Sequence, residues 1–177
     1  MATKKKDSTT SVPRELATAT DLPAKDVRTV TEALNPLVAD AFALYVKTKN
    51  FHWHLSGARF RDLHLLFDEQ AEAILASIDP LAERVRKIGG TTVRSIAQIG
   101  TLQTIKDDDE TFVKPDQMVR RLMEDNKAIA ASMREAHTAC DATDDVATTS
   151  LLEDLIDGTE RRTWFLFEVL QDTDRFA

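Results

Sequence analysis

The feature that most limits the fold is the apolar pattern between positions 59 and 88. Phe60, Leu63, Phe67, Ala71, Ile74, Ile78, Leu81, Val85 and Ile88 follow one another in steps of three and four, the spacing that puts side chains on one face of an α-helix. A strand has no use for it, because the faces of a strand alternate every second residue. The run predicts a helix from about Arg59 to Ile88, stopped by Gly89-Gly90 and bent by Pro80. A stripe of this length needs other apolar elements to cover it.

The rest of the chain supplies them. Val27, Val30, Leu34, Leu37, Val38, Ala41, Leu44, Tyr45 and Thr48 carry helical spacing toward Gly57. Asn35-Pro36 interrupts this stretch either as a cap with a first-turn proline or as a kink, and we read one kinked helix. After the double glycine, TTVRSIAQIG reads as a short capped helix ended by Gly100, and QTIKDDDETFVKP as a loop. A third long helix is expected over roughly Asp116 to Cys140 and a fourth over roughly Ala147 to Leu170. The sum is an all-α protein, a four-helix bundle with a short helix in the crossover between helices two and three. Only five glycines and five prolines in 177 residues agree with helices rather than a turn-rich β fold. One domain, 23–177, is expected behind a flexible basic arm, 1–22, which lacks apolar periodicity.

Charge is unevenly spread. The net charge is −7, yet residues 1–14 carry Lys4, Lys5, Lys6 and Arg14 against Asp7 alone, leaving the arm at +3 and the remainder at −10. An acidic body is not coated for nucleic acid, so only the arm is a candidate for non-specific DNA binding; solubility of a chain end explains the same residues. No stretch has the length of a membrane span, and the N-terminus lacks the apolar segment of a signal peptide. A cytoplasmic protein with no membrane partner is expected. The single Cys140 excludes an intrachain disulfide framework and reads as a small, half-buried hydrophobe.

Beside the core stripe of the second helix lies another set, His64 and Asp68, then Asp79 and Glu83. At 100° per residue they sit at about 0°, 40°, 60° and 100°, while the core stripe centres near −65°, so they flank the core without entering it. His64 and Asp68 are separated by roughly 6 Å along the axis, Asp68 and Asp79 by roughly 16 Å. One metal ion cannot touch both halves. If two copies of this helix pack antiparallel about a two-fold axis near Ala73 and Ile74, the first pair of one chain faces the second pair of the other, and two identical clusters form. Mixed imidazole and carboxylate donors suit a redox-capable first-row metal, iron above all. The same spacings also occur on solvated helix faces.

The runs HWHLSGARFRDLHLLFDE and DPLAERVRKIGG resemble the Dps mini-ferritins (DNA-binding proteins from starved cells), whose pattern is His-Trp, then Gly and Phe, then His-x-x-x-Asp, then Asp-x-x-x-Glu-Arg before a double glycine. The resemblance covers both helices in register. It implies a ferritin-like bundle, a hollow homododecamer, and a ferroxidase centre at each two-fold interface. By the resemblance, His52, His64 and Asp68 of one subunit and Asp79 and Glu83 of its partner hold iron (Fe2+/Fe3+). It implies oxidation of Fe(II), preferentially with hydrogen peroxide, storage of ferric mineral, and protection of DNA. A metal-free nucleoid-binding shell with little ferroxidase activity is the alternative. A true ferritin would carry Glu-x-x-His pairs, which this chain lacks.

The resemblance also gives Trp53 a part in intercepting oxidising equivalents, against its reading as an interface aromatic. Glu72 is a candidate accessory iron contact or a solvated carboxylate. Family pores that admit iron lie near the start of the last helix, where Asp144, Asp145, Glu153, Asp154, Asp157 and Glu160 crowd together; Asp154 and Asp157 are our choices, and a solvated face explains the same run. The acidic loop Asp107 to Glu110 is expected to stay in water. His54 lies 200° from His52 on a helix and points elsewhere. His137, with no partner at ligand spacing, reads as a surface or helix-end histidine.

Overall fold

The structure is a computed structural model that describes residues 12–171. Five α-helices follow a short 3₁₀ turn at Arg14–Leu16: α1 (Ala24–His54), α2 (Phe60–Lys87), α3 (Ile96–Leu102), α4 (Pro115–Asp141) and α5 (Val146–Gln171). The four long ones form the bundle. α1 packs on α2 and α4 on α5, α1 joins the two pairs through α4, and α3 lies across α1. The expected crossover helix is therefore present, and α1 is a single helix through Pro36.

The stripe that predicted α2 is the core. Leu63, Phe67, Ala71, Ile74, Ile78, Leu81 and Val85 are all buried, against Val30, Leu34, Leu37, Val38 and Leu44 of α1 and Met118, Leu122, Leu152 and Leu166 of the other pair. Phe60, at the edge of the stripe, remains 44% exposed. Gly89 ends α2 with φ +87°, a conformation that costs a glycine little. A Cβ on Gly90 would stand 2.2 Å from Thr31 Oγ1, so a side chain there cannot fit against α1.

Three expectations are corrected. Gly100 does not end the short helix, which runs on to Leu102; glycine in a helix interior costs only about 1 kcal/mol, and Ser95 caps the start by accepting from Gln98 N. The acidic loop is not simply solvated, because Arg121 grips both Asp108 at 2.6 Å and Glu110 at 2.8 Å. Asp145 is not a surface acid. It caps α5 by accepting from Thr148 N at 3.2 Å and from Thr148 Oγ1 at 2.6 Å, and it pairs with Arg84 of α2. Its side chain is 1% exposed.

Candidate metal centre

The hairpin between α1 and α2 brings two histidines twelve positions apart into contact. His52 lies two residues before the end of α1, and His64 begins the second turn of α2. Their rings stack with centroids 3.7 Å apart and planes 20° from parallel. Each donates its Nδ1 hydrogen to the other's backbone carbonyl: His52 Nδ1 to His64 O at 2.9 Å, His64 Nδ1 to His52 O at 3.0 Å. A carbonyl only accepts, so Nδ1 carries the proton in both rings. In the neutral imidazoles each Nε2 is then a lone pair, the arrangement found behind metal-bound histidines.

Asp68 completes this half. Its Oδ1 lies 3.9 Å from His52 Nε2, too far for a hydrogen bond and within the reach of two ligands sharing one ion through bonds of about 2.1 Å. Lys49, one turn before His52, holds the same oxygen at 2.6 Å. That hydrogen bond, against a smaller opposing effect of burial, keeps the Asp68 carboxyl below the usual carboxylate range. Sequence reasoning missed Lys49. Its position three residues before His52 was a readable signal, since i and i+3 share a helix face.

The other half is remote in the same chain. Asp79 and Glu83 are exposed on the C-terminal part of α2, and Glu83 pairs with Lys87 at 3.1 Å. Among the described residues, no three His, Cys, Asp or Glu side chains of one chain form a closed metal cluster, so His52, His64 and Asp68 make up only part of a site. The flank between the halves is open: Leu75 is 46% exposed, with Glu72 and Ala76 also exposed, and Leu65, next to His64, is 44% exposed. Trp53, beside His52, is 64% exposed. His54 is exposed and turned back on its own helix, with Nδ1 2.9 Å from Asn50 O.

The bundle interior is different. Arg162 of α5 donates to Asn126 Oδ1 at 2.9 Å and Thr159 Oγ1 at 2.8 Å, and Gln70 Nε2 donates to Arg162 O at 3.2 Å. The guanidinium repels a cation, and the two amides bring neither the imidazole nor the carboxylate that iron favours.

The ferritin-like domain family model matches residues 31–176. DNA protection during starvation protein 1 of Deinococcus radiodurans is 31% identical over 151 residues, 85% of this chain and 73% of that protein. The solved structure of DpsC from Streptomyces coelicolor superposes with a TM-score of 0.83 at 28% identity, over 86% of this chain and 90% of that one. The chain belongs to the Dps mini-ferritins of the ferritin-like family. A second Dps structure, from Vibrio cholerae O1, superposes with a TM-score of 0.81 at 25% identity over 87% of this chain and 97% of that one, and is described as a member of a broad superfamily of ferritin-like diiron-carboxylate proteins.

Other assigned residues of this Dps chain fall as follows. Asp154 and Asp157 are exposed on α5, while Glu160 pairs with Arg134 of α4. His137 faces Glu153 across the α4–α5 pair at 3.2 Å. Arg14 is exposed in the 3₁₀ turn. Lys4, Lys5 and Lys6 lie outside the described residues. Among those described, no helix is long and apolar enough to cross a membrane.

Proposed function

We propose that this Dps chain is a ferroxidase and iron-storage protein that oxidises Fe(II), preferentially with hydrogen peroxide, at sites shared between two subunits. The observation that carries the reading is the reciprocal His52–His64 pair, which commits both Nδ1 atoms to backbone carbonyls and leaves Nε2 as the lone-pair nitrogen of each neutral ring, that of His52 3.9 Å from Asp68. His52, His64 and Asp68 bind the metal substrate from one chain, and Asp79 and Glu83 of the partner supply the missing carboxylates. The exposed Leu75 and Ala76 between the halves, with Leu65 beside His64, suit a helix–helix contact about a two-fold axis.

Each residue type has a task. Neutral imidazole donates to Fe(II), and the carboxylates offset positive charge and favour the ferric product. Peroxide takes one electron from each of two Fe(II) ions; its O–O bond breaks, two protons are taken up, and two waters form. Delivering both electrons at one place avoids releasing a hydroxyl radical. Trp53, exposed beside His52, is placed to intercept stray oxidising equivalents. Glu72 is an accessory contact on the same flank, and Asp154 and Asp157 attract cations toward a pore of a hollow homododecamer.

Fe(II) titration with peroxide tests the reading. Saturating fast oxidation is expected in the native protein and its loss in the His52→Ala, His64→Ala, Asp68→Asn triple variant; no saturable oxidation in the native protein overturns it. Relatives carry names in which DNA is protected, and the Lys4, Lys5, Lys6 and Arg14 arm supports a second role in weak, non-specific DNA binding in a cytoplasmic protein. Twelve arms act multivalently, so a gel shift at low salt that vanishes at high salt and on removing residues 1–14 is expected. An unchanged shift without the arm contradicts that role.

A further inference from the structure

On the helix pair away from His52 and His64, a third histidine meets a carboxylate. His137 of α4 has Nε2 3.2 Å from Glu153 Oε1 of α5. A charge-assisted hydrogen bond draws its partners to about 2.7–2.9 Å, so this contact is long for a shared proton. It suits two ligands of one transition-metal ion: with both bonds near 2.1 Å, a separation of 3.2 Å subtends about 100°, between the octahedral and tetrahedral angles. The helices hold that spacing, because Ala136 and Leu152, the residues next to the two ligands, are buried in the bundle.

Both side chains open onto one cleft of about 510 Å³, which also takes in Arg134, Asp157 and Glu160. Arg134 is already paired with Glu160. The neutral imidazole of His137 therefore shares the cleft with Glu153 and Asp157, two negative charges that the arginine does not offset. Asp157 follows Glu153 by one helical turn, so the two carboxylates rise from the same face of α5. His137 itself keeps 29% of its side chain exposed and Glu153 keeps 67%, so a hydrated ion has access to both. An imidazole with carboxylates selects a first-row transition metal; Mg(II) and Ca(II) prefer oxygen alone.

We propose that His137 and Glu153 form a binding site for a divalent first-row transition-metal ion, with Asp157 and water completing its shell. The site lies on α4 and α5, uses none of the proposed ferroxidase ligands, and does not depend on that reading.

Calorimetric titration of the metal-free, full-length assembly with Co(II), and separately with Mg(II), tests it. The His52→Ala, His64→Ala, Asp68→Asn variant is expected to keep saturable Co(II) binding, one ion per chain. Adding His137→Ala to that variant is expected to remove it, and adding Glu153→Gln to weaken it roughly tenfold or more. If the His137→Ala protein does not assemble, Glu153→Gln decides. Should the ferroxidase half-site bind nothing, the native protein and the triple variant give the same single set of sites, and His137→Ala still removes it. The proposal is overturned by a triple variant that binds no Co(II), or by binding undiminished when His137 or Glu153 is replaced. Mg(II) binding as tight as Co(II) in the triple variant also overturns it, since an acidic surface that attracts any cation would give that result.

Discussion

Lys49 stands where an incoming metal ion must compete. Its ammonium holds Asp68 at 2.6 Å, which keeps the carboxylate ionised and in place beside His52 before any metal arrives. A divalent cation must displace that contact. Solvent weakens such a pair, so Lys49→Met is expected to bind Co(II) a few-fold more tightly by calorimetry, and weaker binding in the variant would show that orienting Asp68 matters more than competing for it. The two neighbouring histidines separate cleanly: His52→Ala is expected to remove metal uptake by this half-site, while His54→Ala, whose exposed ring bonds Asn50 O of its own helix, leaves it near native. Asp145 belongs to stability rather than to cation capture. Asp145→Ala removes the α5 cap and the partner of Arg84, and an acid-free end there is expected to cost about 1–3 kcal/mol in urea unfolding.

At the scale of the helix, α2 carries two stripes with opposite fates. One is buried within the chain, and the other exposes Leu75 and Ala76 between the two candidate half-sites and Leu65 beside His64. Leu75→Asp is expected to leave helix content unchanged and to reduce the assembled mass in light scattering; an intact assembly would place the interface elsewhere. Both stripes were legible in the sequence because a helix repeats its face every three or four residues, and the hairpin of α1 and α2 followed from Gly57 and the double glycine. What was not legible depends on partners from distant elements. Asp145 resembles any acid at a helix start until Arg84, sixty-one residues earlier, is found against it. Asp108 and Glu110 read as a solvated run until Arg121 folds back onto them. His137 had no ligand-spaced neighbour in sequence, and its contact comes from Glu153 on the next helix. Gly100 misled for a local reason: a glycine stops a helix only when it leaves helical φ, and positive φ belongs to Gly57 and Gly89.

At the scale of the molecule, no closed cluster of His, Cys, Asp or Glu that could hold a metal is found among the described residues, and the middle of the bundle is occupied by Arg162, Gln70 and Asn126. In the proposed reading the chemistry lies on the outer flank of α2, where a second chain would finish it. Activity would then be coupled to assembly, since a lone subunit would carry two unlike halves and no complete site. The central claim is tested by subunit complementation. One variant carries His52→Ala, His64→Ala and Asp68→Asn; another carries Asp79→Asn and Glu83→Gln; the two are unfolded, mixed in equal amounts and reassembled. Each variant alone is expected to lack peroxide-dependent Fe(II) oxidation, whereas random pairing in the mixture restores about a quarter of the native sites, because half the pairs are mixed and each mixed pair has one intact site. Assembled mixtures that recover no activity would contradict a site shared between subunits.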